Sequence, residues 1–161
     1  MRSRYSYPGW KVLGWFFLVT FVVGGGIWAT TYYSTFIATD CVLANAQIAA
    51  KPEDMQTYLQ QYLSSLRARG MDHGYASLIP TPYSDMTVRV KAIEGAVERL
   101  NGVIAMEENS TEYQTALDDI RGILRETPNP AGGWTFAHQG WIWLLIWLIT
   151  GIPAYIGFVR P

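Results

Sequence analysis

Two long stretches of this chain carry no charge, and they bracket a middle that carries nearly all of it. Residues 12–39 contain no Asp, Glu, Lys, Arg or His, and neither do residues 141–159. A helix needs about 20 apolar residues to cross a hydrocarbon core about 30 Å thick. The first stretch exceeds that length, and its centre is the run Trp15 to Val23. The second is close to the minimum, with Pro153 expected to loosen its last turns. The pattern predicts an all-α membrane protein. Two transmembrane helices, 12–39 and 139–159, bracket a small extracytoplasmic helical bundle at 40–138.

Within the middle the apolar positions keep helical spacing. Met55, Leu59, Tyr62 and Leu66 recur at intervals of four, three and four, one face of a helix. Pro52 fits a first turn, followed by Glu53 and Asp54 at the positive end of the dipole. Gly70 is placed to stop this helix, and Gly74, Pro80 and Pro82 break the chain after it. Ser84 or Asp85 can cap a second helix, with Val90, Ile93, Val97, Leu100 and Ile104 along its seam. Asn109 and Glu112 have capping-box spacing for a third, lined by Tyr113, Leu117, Ile120 and Leu124. Residues 40–50 read as a helical continuation of the first span. The predicted helices are therefore 40–50, 52–69, 85–106 and 110–125, and Thr127 to Gly133 is an extended, turning linker.

Composition sharpens the membrane reading. All 13 acids fall between Asp40 and Glu126, and all seven tryptophans fall outside that interval. A bilayer imposes this partition, because it rejects bare charge and favours Trp near its interfaces. The middle holds eight bases against its acids, for a charge of −5. That argues against nucleic acid, which requires a basic face. Arg2, Arg4 and Lys11 precede the first span and Arg160 follows the second, against Lys51, Arg121 and Arg125 on the flanks of the insert. By the positive-inside rule, the N-terminus (1–11) and C-terminus (160–161) are cytoplasmic and 40–138 lies outside. The expected location is a plasma membrane of bacterial inner-membrane type. The first apolar run is too long for a cleaved signal peptide and reads as a retained anchor.

Candidate chemistry is sparse. Cys41 is the single cysteine and reads as packed rather than bridged. His73 and His138 are the only histidines, and neither belongs to a motif with metal-ligand spacing. Glu107-Glu108 and Asp118-Asp119 are adjacent on helices, so their side chains diverge by about 100° and form no acid–base dyad. Asn109-Ser110-Thr111 matches a glycosylation sequon, but helix capping explains the same residues. No catalytic residue, metal or cofactor is predicted. The absence of ionisable groups in the spans speaks against a pump or selective transporter.

What the spans do carry is small surface. Gly25 and Ala29 have small-xxx-small spacing, and Gly14, Gly26 and Gly151 add to it. Such residues let a second helix approach closely. Trp143 and Trp147 are the aromatic counterpart on the second span. These seven residues are the predicted helix-packing and partner-contact positions. The expected partners are the lipid bilayer and other integral-membrane subunits, or further copies of this chain. The expected role is a non-catalytic accessory subunit of a membrane complex. An alternative is an assembly factor or scaffold. A second alternative is a ligand-sensing module, because the outline of span, bundle and span resembles the input half of bacterial chemoreceptors and sensor kinases. That resemblance is one of architecture only. Since Arg160 and Pro161 alone follow Val159, a sensor of this shape is expected to signal through a partner's helices.

Overall fold

The computed structural model describes residues 8–108 and 110–159, apart from the side chains of 8–11, 13, 150 and 153–159. Asn109, residues 1–7 and 160–161 lie outside the described residues. So do the capping and sequon roles expected of Asn109, most of the predicted cytoplasmic N-terminus and all of the C-terminus. The described chain is helical, with no β-strand. It divides into two compact units, Met1–Thr31 with His138–Pro161, and Tyr32–Ala137.

The first unit pairs two apolar helices. Helix α1 runs Pro8–Ala38 and helix α7 runs Trp141–Val159. Gly24 meets Trp143, Phe21 meets Trp147, and Phe17 meets Gly151. Position rises along α7 as it falls along α1, so the two helices are antiparallel. Thr39 interrupts the helix after Ala38, yet the bonds from Thr39 N–H to the Thr35 carbonyl and from Leu43 N–H to the Thr39 carbonyl, both 2.9 Å, carry the ladder into α2 (Asp40–Ile48). Gly14–Ile48 is thus a helical run long and apolar enough to cross a membrane, the one such helix among the described residues. Only 6 % of its most apolar window is buried, whereas the core helix of a water-soluble protein is largely covered.

The second unit takes over where α1 acquires polar contacts. Thr35, Thr39 and Asp40 are buried there. Helix α2 packs on α3 (Pro52–Ala68) and α5 (Thr111–Glu126), and α4 (Met86–Ile104) packs on the same two. Each boundary has a local cause. Pro52 occupies the first turn of α3. At its other end Gly70 adopts φ 64°, and the bonds from Met71 N–H to Leu66 and from Gly70 N–H to Arg67 close a Schellman motif. Met71 and Leu66 are both fully buried, which supplies the apolar contact that accompanies this stop. Asp85 caps α4 by accepting from Thr87 N–H at 2.8 Å.

Three expectations shift. The cap of α5 is Ser110, which accepts from Tyr113 N–H at 3.1 Å, rather than Asn109. On α4 the deep positions past Ile93 are Ala96, Leu100 and Val103, while Val97 and Ile104 are only partly buried. Alternating three- and four-residue steps assume 3.5 residues per turn, and a straight helix drifts from that by about 20° per heptad. Finally, the linker expected to stay extended to Gly133 forms a helical turn, α6, over Ala131–Thr135. The next five residues, Phe136–Gly140, form a π-turn before α7 begins.

Candidate functional site

Two features of the chain could carry function, one in each unit. The first is the seam between α1 and α7. A Cβ on Gly24 would sit 2.6 Å from the Trp143 ring, and one on Gly151 would sit 2.6 Å from the Phe17 ring. Both glycines are therefore the floor on which an aromatic ring lies. Between them Phe21 and Trp147 pack with ring centroids 4.6 Å apart, inside the range of favourable aromatic pairs. Of the predicted packing residues, Trp143, Trp147 and Gly151 come together here. Gly24, their partner on α1, was missed because three consecutive glycines offer no sequence signal for which one faces inward.

Gly25, Gly26 and Ala29 are placed differently. A Cβ at Gly25 or Gly26 would meet nothing within 4 Å, and Gly26 and Ala29 are exposed. Gly14 is half-buried on α1. The small residues of α1 thus split into Gly24, covered by the chain's own tryptophan, and an uncovered row. Gly24→Ala is expected to force the Trp143 ring away and separate the seam. In a Cys41→Ala background, thiol cross-linking between Phe21→Cys and Trp147→Cys should then fall to background, while Gly25→Ala leaves it unchanged. Equal cross-linking in the two variants would contradict the observed seam.

The second feature is a buried polar cluster in the four-helix unit. Asp40, at the start of α2, is only 4 % exposed. Its Oδ1 accepts from the Thr39 hydroxyl at 3.1 Å and from Ala131 N–H at 3.3 Å. The second bond spans 91 residues and sets a carboxyl at the start of α6, which accounts for the helical turn there. Burial pushes the Asp40 carboxyl above its usual range, against the pull of these two bonds and the Arg89 charge. Arg89 is also buried. Its Nη2 donates to the Tyr83 carbonyl at 3.3 Å, while Nη1 has no partner. The Tyr62 hydroxyl is buried without a well-formed hydrogen bond. Burial pushes it up to about 12, although Arg89 lies close enough to oppose the shift. Carboxyl, guanidinium and phenol thus share one buried region, linking α2, α3 and α4 to the first residue of α6.

The other sequence candidates remain dispersed. Cys41 is a half-buried free thiol on α2. His73 is exposed and pairs with its neighbour Asp72 at 2.8 Å, holding that carboxyl below its usual range. His138 lies exposed in the π-turn. Asp118 pairs with Arg121 at 3.3 Å, and with Asp119 it edges a shallow groove that Arg99 and Glu126 also line. Among the described residues no group of three or more His, Cys, Asp or Glu is arranged to hold a metal ion. Compared with known protein families, curated proteins and solved structures, the chain matches none.

Proposed function

We propose that this chain is a non-catalytic subunit of a larger membrane assembly, held in the bilayer by α1 and α7 and presenting its four-helix unit outside. The observation that carries this reading is the uncovered small-residue row on α1. Gly26 and Ala29 are exposed and Gly25 is half-buried, while Gly24 and Gly151 are already occupied by the chain's own rings. Lipid tails gain nothing from a flat glycine surface. A second helix does, because close approach of backbones drives association in a bilayer. In this reading the first span lies within the uncharged stretch 12–39, which is longer than the roughly 20 residues needed to cross the core. The second starts at Trp141. Both termini lie in the cytoplasm of a bacterial-type inner membrane, following the basic residues near the ends.

A sensing role is the second reading. It is favoured by the two backbone bonds at Thr39 that carry the helical run from α1 into α2, along which axial movement of the span would pass. A scaffold role shares the same docking surface.

The deciding experiment is a gentle-detergent pull-down of the tagged chain from its native membrane, with mass spectrometry. Larger membrane subunits should arrive in fixed ratio. Gly25→Leu with Gly26→Leu should remove them, whereas Val22→Leu, a change of one exposed apolar side chain for another, should not. Arrival of the wild-type chain alone, as a monomer or symmetric oligomer, would end the accessory-subunit reading.

A further inference from the structure

Between Gly74 and Met86 the chain forms a closed loop of defined conformation. Gly74, at φ 76°, accepts from Met86 N–H at 2.9 Å, and Ala76 N–H donates to the Ser84 carbonyl at 2.7 Å. These two bonds tie the base, where Tyr75 and Asp85 form an antiparallel bridge. Within the loop Ser84 Oγ accepts from Thr81 N–H at 3.0 Å, and the Ser77 hydroxyl donates to the Ile79 carbonyl. The polar groups are thus turned into the loop, and the apolar ones are turned out. Tyr83 is 88 % exposed, Ile79 75 % and Leu78 54 %.

No residue from Tyr75 to Ser84 is charged, while Asp72 and Asp85 flank the stretch. Other uncharged runs in this unit, such as residues 55–66, place their large side chains in the core. This one displays them.

The loop's place in its unit says what it meets. Arg69, just before it, donates to the Ser34 carbonyl at 3.1 Å. The backbone of Gly133 rests against the Ala76 carbonyl, and Gly132 lies beside the Tyr32 ring. Tyr32 and Ala137 are the first and last residues of the unit. The loop therefore stands at the end where the chain enters from one apolar helix and leaves toward the other.

We infer that the loop Tyr75–Ser84 is a membrane-interface contact, which seats Leu78, Ile79 and Tyr83 at the boundary of lipid headgroups and acyl chains. The inference rests on the proposed two-span topology, in which both ends of this unit continue into a span. Irregular backbone is not tolerated in the hydrocarbon itself. At the headgroup level water remains available, and an aromatic ring with a polar tip is favoured there. Arg69 and Asp72 at one side and Asp85 at the other limit how deep the loop can go. The acidic remainder of the unit is consistent with contact through this one uncharged element rather than through a broad basic face.

The full-length chain, with Cys41→Ser and Ile79→Cys, is labelled with a polarity-sensitive fluorophore and reconstituted in phosphatidylcholine vesicles. The same is done with Thr115→Cys, an exposed position on α5, and with Leu145→Cys on α7. The expected result is blue-shifted emission at position 79, quenched by lipid carrying a nitroxide near the headgroup and shielded from aqueous iodide. Position 115 should show the reverse. Iodide quenching at 79 without lipid quenching overturns the inference. So does shielding from both quenchers, which would mean a protein contact. Position 145 keeps the two ideas apart. If it is in lipid and 79 is in water, only the loop contact fails. If 145 is also in water, the two-span topology fails.

Discussion

Leu59→Ala is expected to destabilise the four-helix unit by about 2–5 kcal/mol, the range for removing a buried leucine side chain from a packed core. Leu59 is fully buried, one of a stripe with Met55, Tyr62 and Leu66 on α3. Helix α3 packs on both α2 and α4, so a hole at its centre loosens two helix contacts rather than one. The neighbours cannot easily collapse into it. Met55, Leu43 and Ile93 are fully buried too, and a core at native density transmits a missing volume instead of absorbing it. For a unit near 100 residues, each kcal/mol moves the melting temperature by about 4–8 °C. A thermal melt of the detergent-solubilised chain, followed by circular dichroism, should therefore show a fall of at least about 8 °C by the same scaling. Leu78→Ala, on the exposed loop, should leave the melt nearly unchanged in detergent. If the two substitutions have equal effects, the α3 stripe is not the core.

Much of this arrangement was legible in the sequence, and the parts that were not share a physical cause. The α3 stripe, the Gly70 stop and the Asp85 cap all depend on residues within about one turn of each other, and local spacing reveals such features. The packing seam in the apolar pair did not emerge in full. Successive residues on a helix point about 100° apart, so Gly24, Gly25 and Gly26 face three directions. Only the partner's register shows that Gly24 takes the Trp143 ring. The same holds for α4, where the heptad template named Val97 and Ile104 while the helix buries Ala96 and Val103. Asp40 was the largest omission. It reads as the first acid after an apolar span, and nothing near it in sequence hints at a bond to Ala131, 91 residues away. The helical turn at Ala131–Thr135 was missed for the same reason, since the Asp40 carboxyl at its start comes from another element.

The Asp40 cluster supports the second large effect. Arg89→Ala is expected to cost on the order of 3 kcal/mol, because it removes a buried cation whose charge helps hold a buried carboxyl. It also strips the donor from the Tyr83 carbonyl. The cost should depend on pH in a direction that follows from burial. Asp40 in the folded chain binds its proton more tightly than its ordinary value of 3.8 would give. Its protonated form is then favoured by folding, so this contribution to stability is fully present below that ordinary value. It is lost as pH rises through the raised folded value. Removing Arg89 takes away one of the influences that lower the folded value, so the loss extends to higher pH in the variant. Asp40→Asn keeps an oxygen that can accept from Ala131 N–H and removes the charge. It should abolish this part of the pH dependence and, combined with Arg89→Ala, recover part of the stability. For groups sharing one network such coupling is about 0.5–3 kcal/mol. The measurement is a double-mutant cycle in urea at acidic and neutral pH, with detergent held constant. Strict additivity of the two substitutions at neutral pH would show that the carboxyl and guanidinium do not sense each other. Asp40 would then be only a cap for the turn at Ala131, and the link between α2 and α6 would rest on one hydrogen bond.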